Sequence, residues 1–162
     1  MTGLKILVVD DEPHIRGLLC EILALEDYQS TPATDGVDAM AKWHQSVKSA
    51  NPFDLMVIDL KMPKMGGEGL LKMLRQTGST LPVIVLTGHA DLEDAYTLLA
   101  QYGVSDFISK HLTDATRLLF SVKNALEKYG LQQQLETINE QLEVRVTQRT
   151  AELEQAKIKA EV

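Results

Sequence analysis

A chain of 162 residues with 44% apolar content is long enough for one ordinary domain with its own core plus an appendage. A formal net charge of −7 argues against a sequence-independent nucleic-acid binder, which needs a basic face, and no direct nucleic-acid contact is expected. With one cysteine there is no intramolecular disulfide, no apolar run approaches the roughly 18 residues of a membrane span, and no signal peptide opens the chain. The expectation is a soluble protein of a reducing compartment, the cytoplasm, with no membrane contact.

In chain order, Lys5 to Val9 (KILVV) is a short β-branched apolar run ending in Asp10-Asp11, and it predicts a strand. Pro13 suits a first helical turn. Ile15, Leu18, Leu19, Ile22 and Leu23 then fall at i, i+3, i+4, i+7 and i+8, the spacing of an amphipathic helix. Cys20 lies inside that pattern and reads as a small core residue. Tyr28 to Ala33 predicts a weak second strand. Asp35-Gly36 signals a turn, and Val37, Met40, Ala41, Trp43 and His44 suggest a helix after it. Phe53 to Leu60, bounded by Asn51-Pro52 and Met62-Pro63, is an apolar run with Asp59 near its end. It predicts a strand buried on both faces. Gly66-Gly67 breaks the chain, and Leu70, Leu71 and Leu74 mark the next helix. Leu81 to Thr87 predicts a strand, Leu92 to Tyr102 a helix, and Asp106 to Ser109 a last short strand followed by Lys110. From about Thr113 the pattern is helical, interrupted only by Gly130.

This is β-α five times over. Parallel strands need covering crossovers of one hand, so the pattern predicts an α/β fold with helices on both faces of a doubly wound, five-stranded parallel sheet. Five units in about 125 residues suit the smaller order 2-1-3-4-5 of flavodoxin-like folds. In that order strands one, three, four and five end together at one mouth, where open sheets bind ligands. Those ends carry Asp10 and Asp11, Asp59, Thr87, and Lys110. Two like charges about 4 Å apart repel by roughly 4 kcal/mol at an effective dielectric near 20, so three aspartates call for a cation. Hard oxygen ligands suit Mg²⁺. An ammonium and a hydroxyl beside a metal are what a phosphoryl group needs for charge neutralisation. Asp59 is then a plain ligand or a nucleophile that forms an acyl phosphate. Taken singly, the bland readings win: a helix N-terminal acidic pair, a surface lysine, a strand-end hydroxyl. Their joint placement at four strand ends is what is specific.

The set Asp10-Asp11-Glu12, Asp59-Leu-Lys-Met-Pro63 with Gly66 or Gly67 following, Thr87-Gly88, and Lys110 resembles the receiver domain of two-component response regulators, over roughly residues 3–127. The resemblance implies that Asp59 is the phosphoacceptor. It implies an acidic pocket of Asp10 and Asp11, with Asp11, Asp59 and the backbone carbonyl of Lys61 as direct Mg²⁺ ligands. It makes Thr87 the switch hydroxyl, Lys110 its cationic partner, Phe107 the switch aromatic, and Gly88 the small residue that leaves the site open. One departure is His111, where the family usually has proline, often in a cis bond. A non-proline cis bond costs about 3 kcal/mol, so a trans bond is expected there, with a shifted loop. Lys61 and His89 hold positions that tune dephosphorylation. His14, His44, His89 and His111 lack metal-ligand spacing.

After Leu126 the character changes. Leu131, Leu135, Ile138, Leu142, Val146, Arg149, Leu153 and Ala156 follow steps of 4, 3, 4, 4, 3, 4 and 3, a coiled-coil seam with one extra four-residue step. The expected division is a receiver over 1–127 and a coiled-coil signalling helix over 128–162. A helix from Thr113 to Val162 would run about 75 Å, past a receiver's edge. A parallel homodimer through residues 131–156 is expected, with Arg149 weakening its seam and Gly130 loosening the junction at about 1 kcal/mol relative to alanine. The tail resembles the signalling helices that lead into output domains, and the approach to a histidine-kinase dimerisation helix above all. The chain is therefore expected to be the amino-terminal part of a longer protein such as a hybrid histidine kinase, with a cyclic-dinucleotide synthase or phosphodiesterase as the alternative output. The expected partner is a histidine kinase or histidine phosphotransfer protein. By itself such a module is at most self-catalysing in its own phosphorylation and dephosphorylation. An aspartate-nucleophile phosphatase wants a second aspartate where Lys61 stands. A nucleotide- or flavin-binding domain wants a glycine-rich loop where Asp10-Asp11-Glu12 would repel phosphate. A degenerate receiver used only for binding fits the intact set poorly.

Overall fold

The computed structural model describes residues 3–88, 92–110 and 114–161. Its elements alternate: β1 (Lys5–Val9), α1 (Pro13–Ala24), β2 (Gln29–Ala33), α2 (Gly36–Lys48), β3 (Leu55–Asp59), α3 (Gly67–Gln76), β4 (Val83–Thr87), α4 (Leu92–Tyr102), β5 (Asp106–Ser109) and α5 (Ala115–Ala160). Every strand pair is parallel and the order is β2-β1-β3-β4-β5, the predicted doubly wound, flavodoxin-like sheet. β1 and β5 match the runs that predicted them, and β2, β3 and β4 are shorter than theirs. Asp54 stays outside β3, its carboxylate accepting from the Lys5 amide at 2.7 Å. Pro82 has no amide to give, and only its carbonyl joins the sheet, accepting from the Met56 amide.

Strand alternation sorts the core into two layers. Leu7, Val9, Met56, Ile58, Val83 and Val85 pack with residues of α2, α3 and α4, among them Met40, Leu70, Leu74 and Leu98. Ile6, Val8, Leu55, Val57, Ile84 and Leu86 pack with Leu19, Ile22 and Leu23 of α1 and Leu118 and Val122 of α5. Each such aliphatic side chain contributes roughly 1.5–3 kcal/mol on burial. β3 and β4 are buried throughout, as a central parallel strand requires. β2 is half exposed and carries Pro32, which only an edge strand accommodates. The buried arc of α1 is narrower than predicted: Leu19, Ile22 and Leu23 go in, and Leu18 is 47% exposed. The arc that meets the sheet centres on Leu19 and Leu23, and Leu18 falls off its edge.

Caps hold two helices in place. Asp35 accepts from the Asp38 amide at 2.9 Å at the start of α2, and Asp114 accepts from the Arg117 amide at 2.7 Å at the start of α5. Asp106 ties β5 to α5, accepting from Ser121 Oγ at 2.6 Å and pairing with Arg117 at 2.9 Å.

The chain divides into two compact units, Met1–Leu126 and Glu127–Val162. In the second unit, residues 131–161 are all exposed, and helix runs through Gly130 without a break. Glycine raises the cost of a helical residue without removing its hydrogen bond, so the helix continues through it. Among the described residues, no helix is long and apolar enough to cross a membrane.

Candidate functional site

The strand registers bring the polar ends together. Asp59 is the last residue of β3, level with Leu86; Thr87, the last of β4, is level with Ser109; Asp10 and Lys110 follow β1 and β5 directly. Asp10 and Thr87 are fully buried, and Asp59 is 4% exposed. Buried carboxylates are costly without a partner, and the partner is Lys110. Its Nζ lies 2.7 Å from Asp59 Oδ2, 3.2 Å from Asp10 Oδ2 and 3.4 Å from Glu12 Oε1. The other Asp10 oxygen accepts from the Glu12 amide at 2.9 Å, and the Asp10 carbonyl accepts from Arg16 Nη1 at 2.6 Å. Asp59 also accepts from the Lys61 amide.

Burial pushes the Asp59 carboxyl above its ordinary value; Lys110 pulls it back, the Asp10 charge adds to the rise, and the net direction is upward. Burial alone would lower Lys110, but its hydrogen bond and charge pairing with Asp59, and then with Asp10, outweigh that and hold its pKa well above an ordinary lysine. Lys110 is therefore a permanent cation.

One ammonium meets three carboxylates, and Asp11 stands beside them half-buried, so the corner keeps an excess of negative charge. Asp10, Asp11 and Glu12 each offer a carboxylate oxygen within 4.8 Å of the others. All-oxygen donors of this charge fit a hard divalent cation such as Mg²⁺. Thr87 Oγ1 is buried with no hydrogen-bond partner among the described residues. A buried hydroxyl left so costs about 1–3 kcal/mol, which a ligand accepting from it would recover.

The turn after β3 is folded tightly onto this corner. The Gly67 amide donates to the Leu60 carbonyl at 2.9 Å, and a Cβ on Gly67 would stand 2.7 Å from the Asp59 carbonyl oxygen. Only glycine lets the start of α3 lie against the backbone that carries Asp59. Within the same turn Lys64 holds φ at 65°.

Of the residues singled out in the sequence, Lys110 contacts both Asp10 and Asp59, and Asp11 joins the acidic cluster. Thr87 ends the neighbouring strand. Lys61 contributes its amide, and its side chain is exposed. Phe107 is half-buried on β5, level with Val85, and meets Tyr96 edge-on at 5.1 Å between centroids. His14 and His44 are exposed; His89 and His111 lie outside the described residues. The pairing of Glu12 with Lys110 and the hold of Arg16 on the Asp10 carbonyl were not predicted. Glu12 carries a signal, as the third acid of an acidic triplet; Arg16, one turn into α1, shows its use only once Asp10 is placed.

Residues 6–123 match the family model described as the response regulator receiver domain. The chain belongs to that family and is a receiver domain of two-component signalling. Sensor histidine kinase RcsC of Escherichia coli (strain K12) is 41% identical over 110 residues, 68% of this chain and 11% of that protein. Transcriptional regulatory protein CpxR of Klebsiella pneumoniae is 39% identical over 68% of this chain and 44% of its own length. Among solved structures, a response regulator receiver domain protein from Clostridium thermocellum is similar at TM-score 0.70 and 26% identity, covering 79% of this chain and 98% of that one. The receiver domain of NtrX from Brucella abortus gives 0.66 and 33%, covering 75% and 98%. The chain spans about a ninth of the RcsC kinase it matches.

Proposed function

We propose that Asp59 is the phosphoacceptor of this receiver, with Lys110 and Thr87 holding the transferred group. The observation that carries this reading is the buried Asp59–Lys110 contact at 2.7 Å beside the unpartnered Thr87 hydroxyl. The donor is a phosphorylated histidine of a kinase or phosphotransfer protein, the partners receivers work with. An Asp59 oxygen attacks phosphorus; the O–P bond forms as the N–P bond breaks. The imidazole, protonated on its other nitrogen, leaves neutral. Lys110 shifts part of its pairing from Asp59 to the phosphoryl oxygens, and Thr87 donates its hydroxyl to one of them. Asp10, Asp11 and Asp59, with the Lys61 carbonyl, would hold Mg²⁺, and Glu12 stands close enough to bias that set. Bound there, the ion supplies neutralisation of the carboxylates and the incoming phosphoryl oxygens. Engagement of Thr87 draws Phe107 inward and shifts a two-state equilibrium at the α4–β5–α5 face.

The tail then passes that shift on as a parallel homodimer through residues 131–156, towards an output domain. A histidine kinase is the output the tail's pattern favours, and the likeness to RcsC supports it. The likeness to CpxR keeps a regulator's output in play, and a cyclic-dinucleotide synthase or phosphodiesterase fits the same helix. Intact-mass measurement with a small phosphodonor tests the core of this reading. A Mg²⁺-dependent phosphoryl adduct is expected in the wild type and none in Asp59→Asn. Equal modification of both would remove Asp59 from the role, and no adduct in either would favour a phosphorylation-independent receiver.

A further inference from the structure

Asp35-Gly36 signals a turn in the sequence, but the structure gives this glycine no turn to make. Gly36 opens α2, its φ lies outside the left-handed region, and Asp35 before it supplies the cap. For the helix alone, alanine would serve as well or better. What the position requires is closeness. Gly36 is buried against Met65 of the turn after β3. A Cβ on it would stand 2.6 Å from Met65 Cγ, 2.7 Å from the Met65 carbonyl oxygen and 2.8 Å from Met65 Cβ. Ordinary contact between carbons begins at about 3.5 Å. The Gly36 amide is one of the first-turn donors that a helix cannot satisfy from within, and it donates to the Met65 carbonyl at 2.9 Å.

The turn is thus held at two points: Gly67 closes it on Leu60, and Gly36 holds Met65 from α2. Lys61 to Lys64 run between them. Pro63 fixes one φ of that stretch, and Lys64 takes a φ of 65°, which a lysine keeps only where its surroundings over-determine it. The ion pair from Lys64 to Asp35 is long, at 3.9 Å, and the lysine side chain is 75% exposed, so it contributes little. The amide bond and the close packing on Gly36 are left to fix the turn.

We propose that Gly36 is a positioning residue for the metal: by clasping Met65 it fixes the backbone that presents the Lys61 carbonyl, and so sets how well the corner fits Mg²⁺. This rests on the reading of that carbonyl as a ligand. Mg²⁺ demands near-ideal octahedral geometry with oxygens at about 2.0–2.1 Å, whereas Ca²⁺ accepts flexible arrangements at about 2.3–2.6 Å. A Cβ at position 36 would push Met65 away by roughly half an ångström or more, an error that the stricter ion registers in full. Groups that orient ligands from outside typically change metal affinity roughly 10- to 100-fold when replaced.

Calorimetric titration of the full chain with Mg²⁺ and with Ca²⁺ tests this. Gly36→Ala should lose about tenfold in Mg²⁺ affinity and less than about threefold in Ca²⁺ affinity, whereas Asp59→Asn, which removes a charge, should weaken both. Equal losses for the two ions in Gly36→Ala, or no loss for Mg²⁺, would overturn the clasp and leave the metal site standing. Asp35→Asn keeps the cap and removes the charge facing Lys64; a change there beyond about twofold would put the effect on charge and overturn the clasp. Coupling is reciprocal, so Mg²⁺ should slow hydrogen exchange at the Gly36 amide of the wild type, a readout that needs no variant to fold. Exchange there unmoved by saturating Mg²⁺ would overturn the clasp. A wild type that binds neither ion would overturn the metal reading and the clasp with it, without touching the assignment of Asp59.

Discussion

Receiver and tail both carry aliphatic side chains at regular spacing, yet one buries them and the other does not. In the receiver, period two along β1, β3 and β4 sends Leu7, Val57 and Ile84 to layers where helices from distant parts of the chain cover them. In the tail, Leu131 to Leu153 follow a helical period with nothing of their own unit to cover them. A sheet gathers remote segments; one helix cannot shield its own stripe. The same kind of pattern is therefore satisfied within its own unit in one region and left exposed in the other.

Paired substitutions sharpen that contrast. Leu71→Ala, in the buried layer of α3, should cost about 3 kcal/mol in urea unfolding of the receiver. Leu142→Ala should leave the same transition within about 0.5 kcal/mol while weakening sedimentation as a dimer. Comparable losses in both would mean that the tail helps the receiver fold, and the contrast would fail. Gly67→Ala comes next. Its Cβ would stand 2.7 Å from the Asp59 carbonyl oxygen, and a loss of about 2 kcal/mol is expected from denaturant midpoints.

The smallest effect depends on pH. Burial lifts the Asp59 carboxyl above its ordinary 3.8, so the folded form holds that proton more tightly than the unfolded form does. The stability this gives is complete below the unfolded value and is lost as pH rises through the folded one. At pH 7 an ionised Asp59 therefore works against the fold. The difference in stability between Asp59→Asn and the wild type should move in the variant's favour as pH rises from about 4 towards 7. Lys110 offsets part of this at neutral pH, because its pairing with Asp59 is lost in the variant, so the change of the gap with pH is the readout. Its raised pKa gives stability that is complete below the ordinary 10.5 and lost only as pH rises through the higher folded value. A gap independent of pH would mean that burial of the charge is not the cause.

The strand ends were legible because a fixed order of parallel strands leaves few places for Asp10, Asp59, Thr87 and Lys110 to go. The chain-wide β-α alternation was legible for the same reason: short apolar runs and helical spacing rarely mimic one another five times. The contact of Glu12 was not, because its partner Lys110 arrives 98 residues later and the third acid of the triplet reads as solvated charge until that lysine is placed. Gly67 read as a chain break; its use as a close-approach point depends on where Leu60 folds back. Leu18 fits the helical period as well as Leu19 does, and only the surface it meets tells them apart. The tail's steps were legible as a coiled-coil seam, but a seam does not say which chain covers it.

Borohydride reduction is the most direct test of the central claim, that this corner is a phosphoacceptor site built on Asp59. It converts an aspartyl phosphate to homoserine and leaves free carboxylates alone. After treatment with a phosphodonor and Mg²⁺, peptide mapping should find homoserine at position 59 and nowhere else. Homoserine at position 10, 11 or 12, or a phosphorylated protein with none at all, would contradict it.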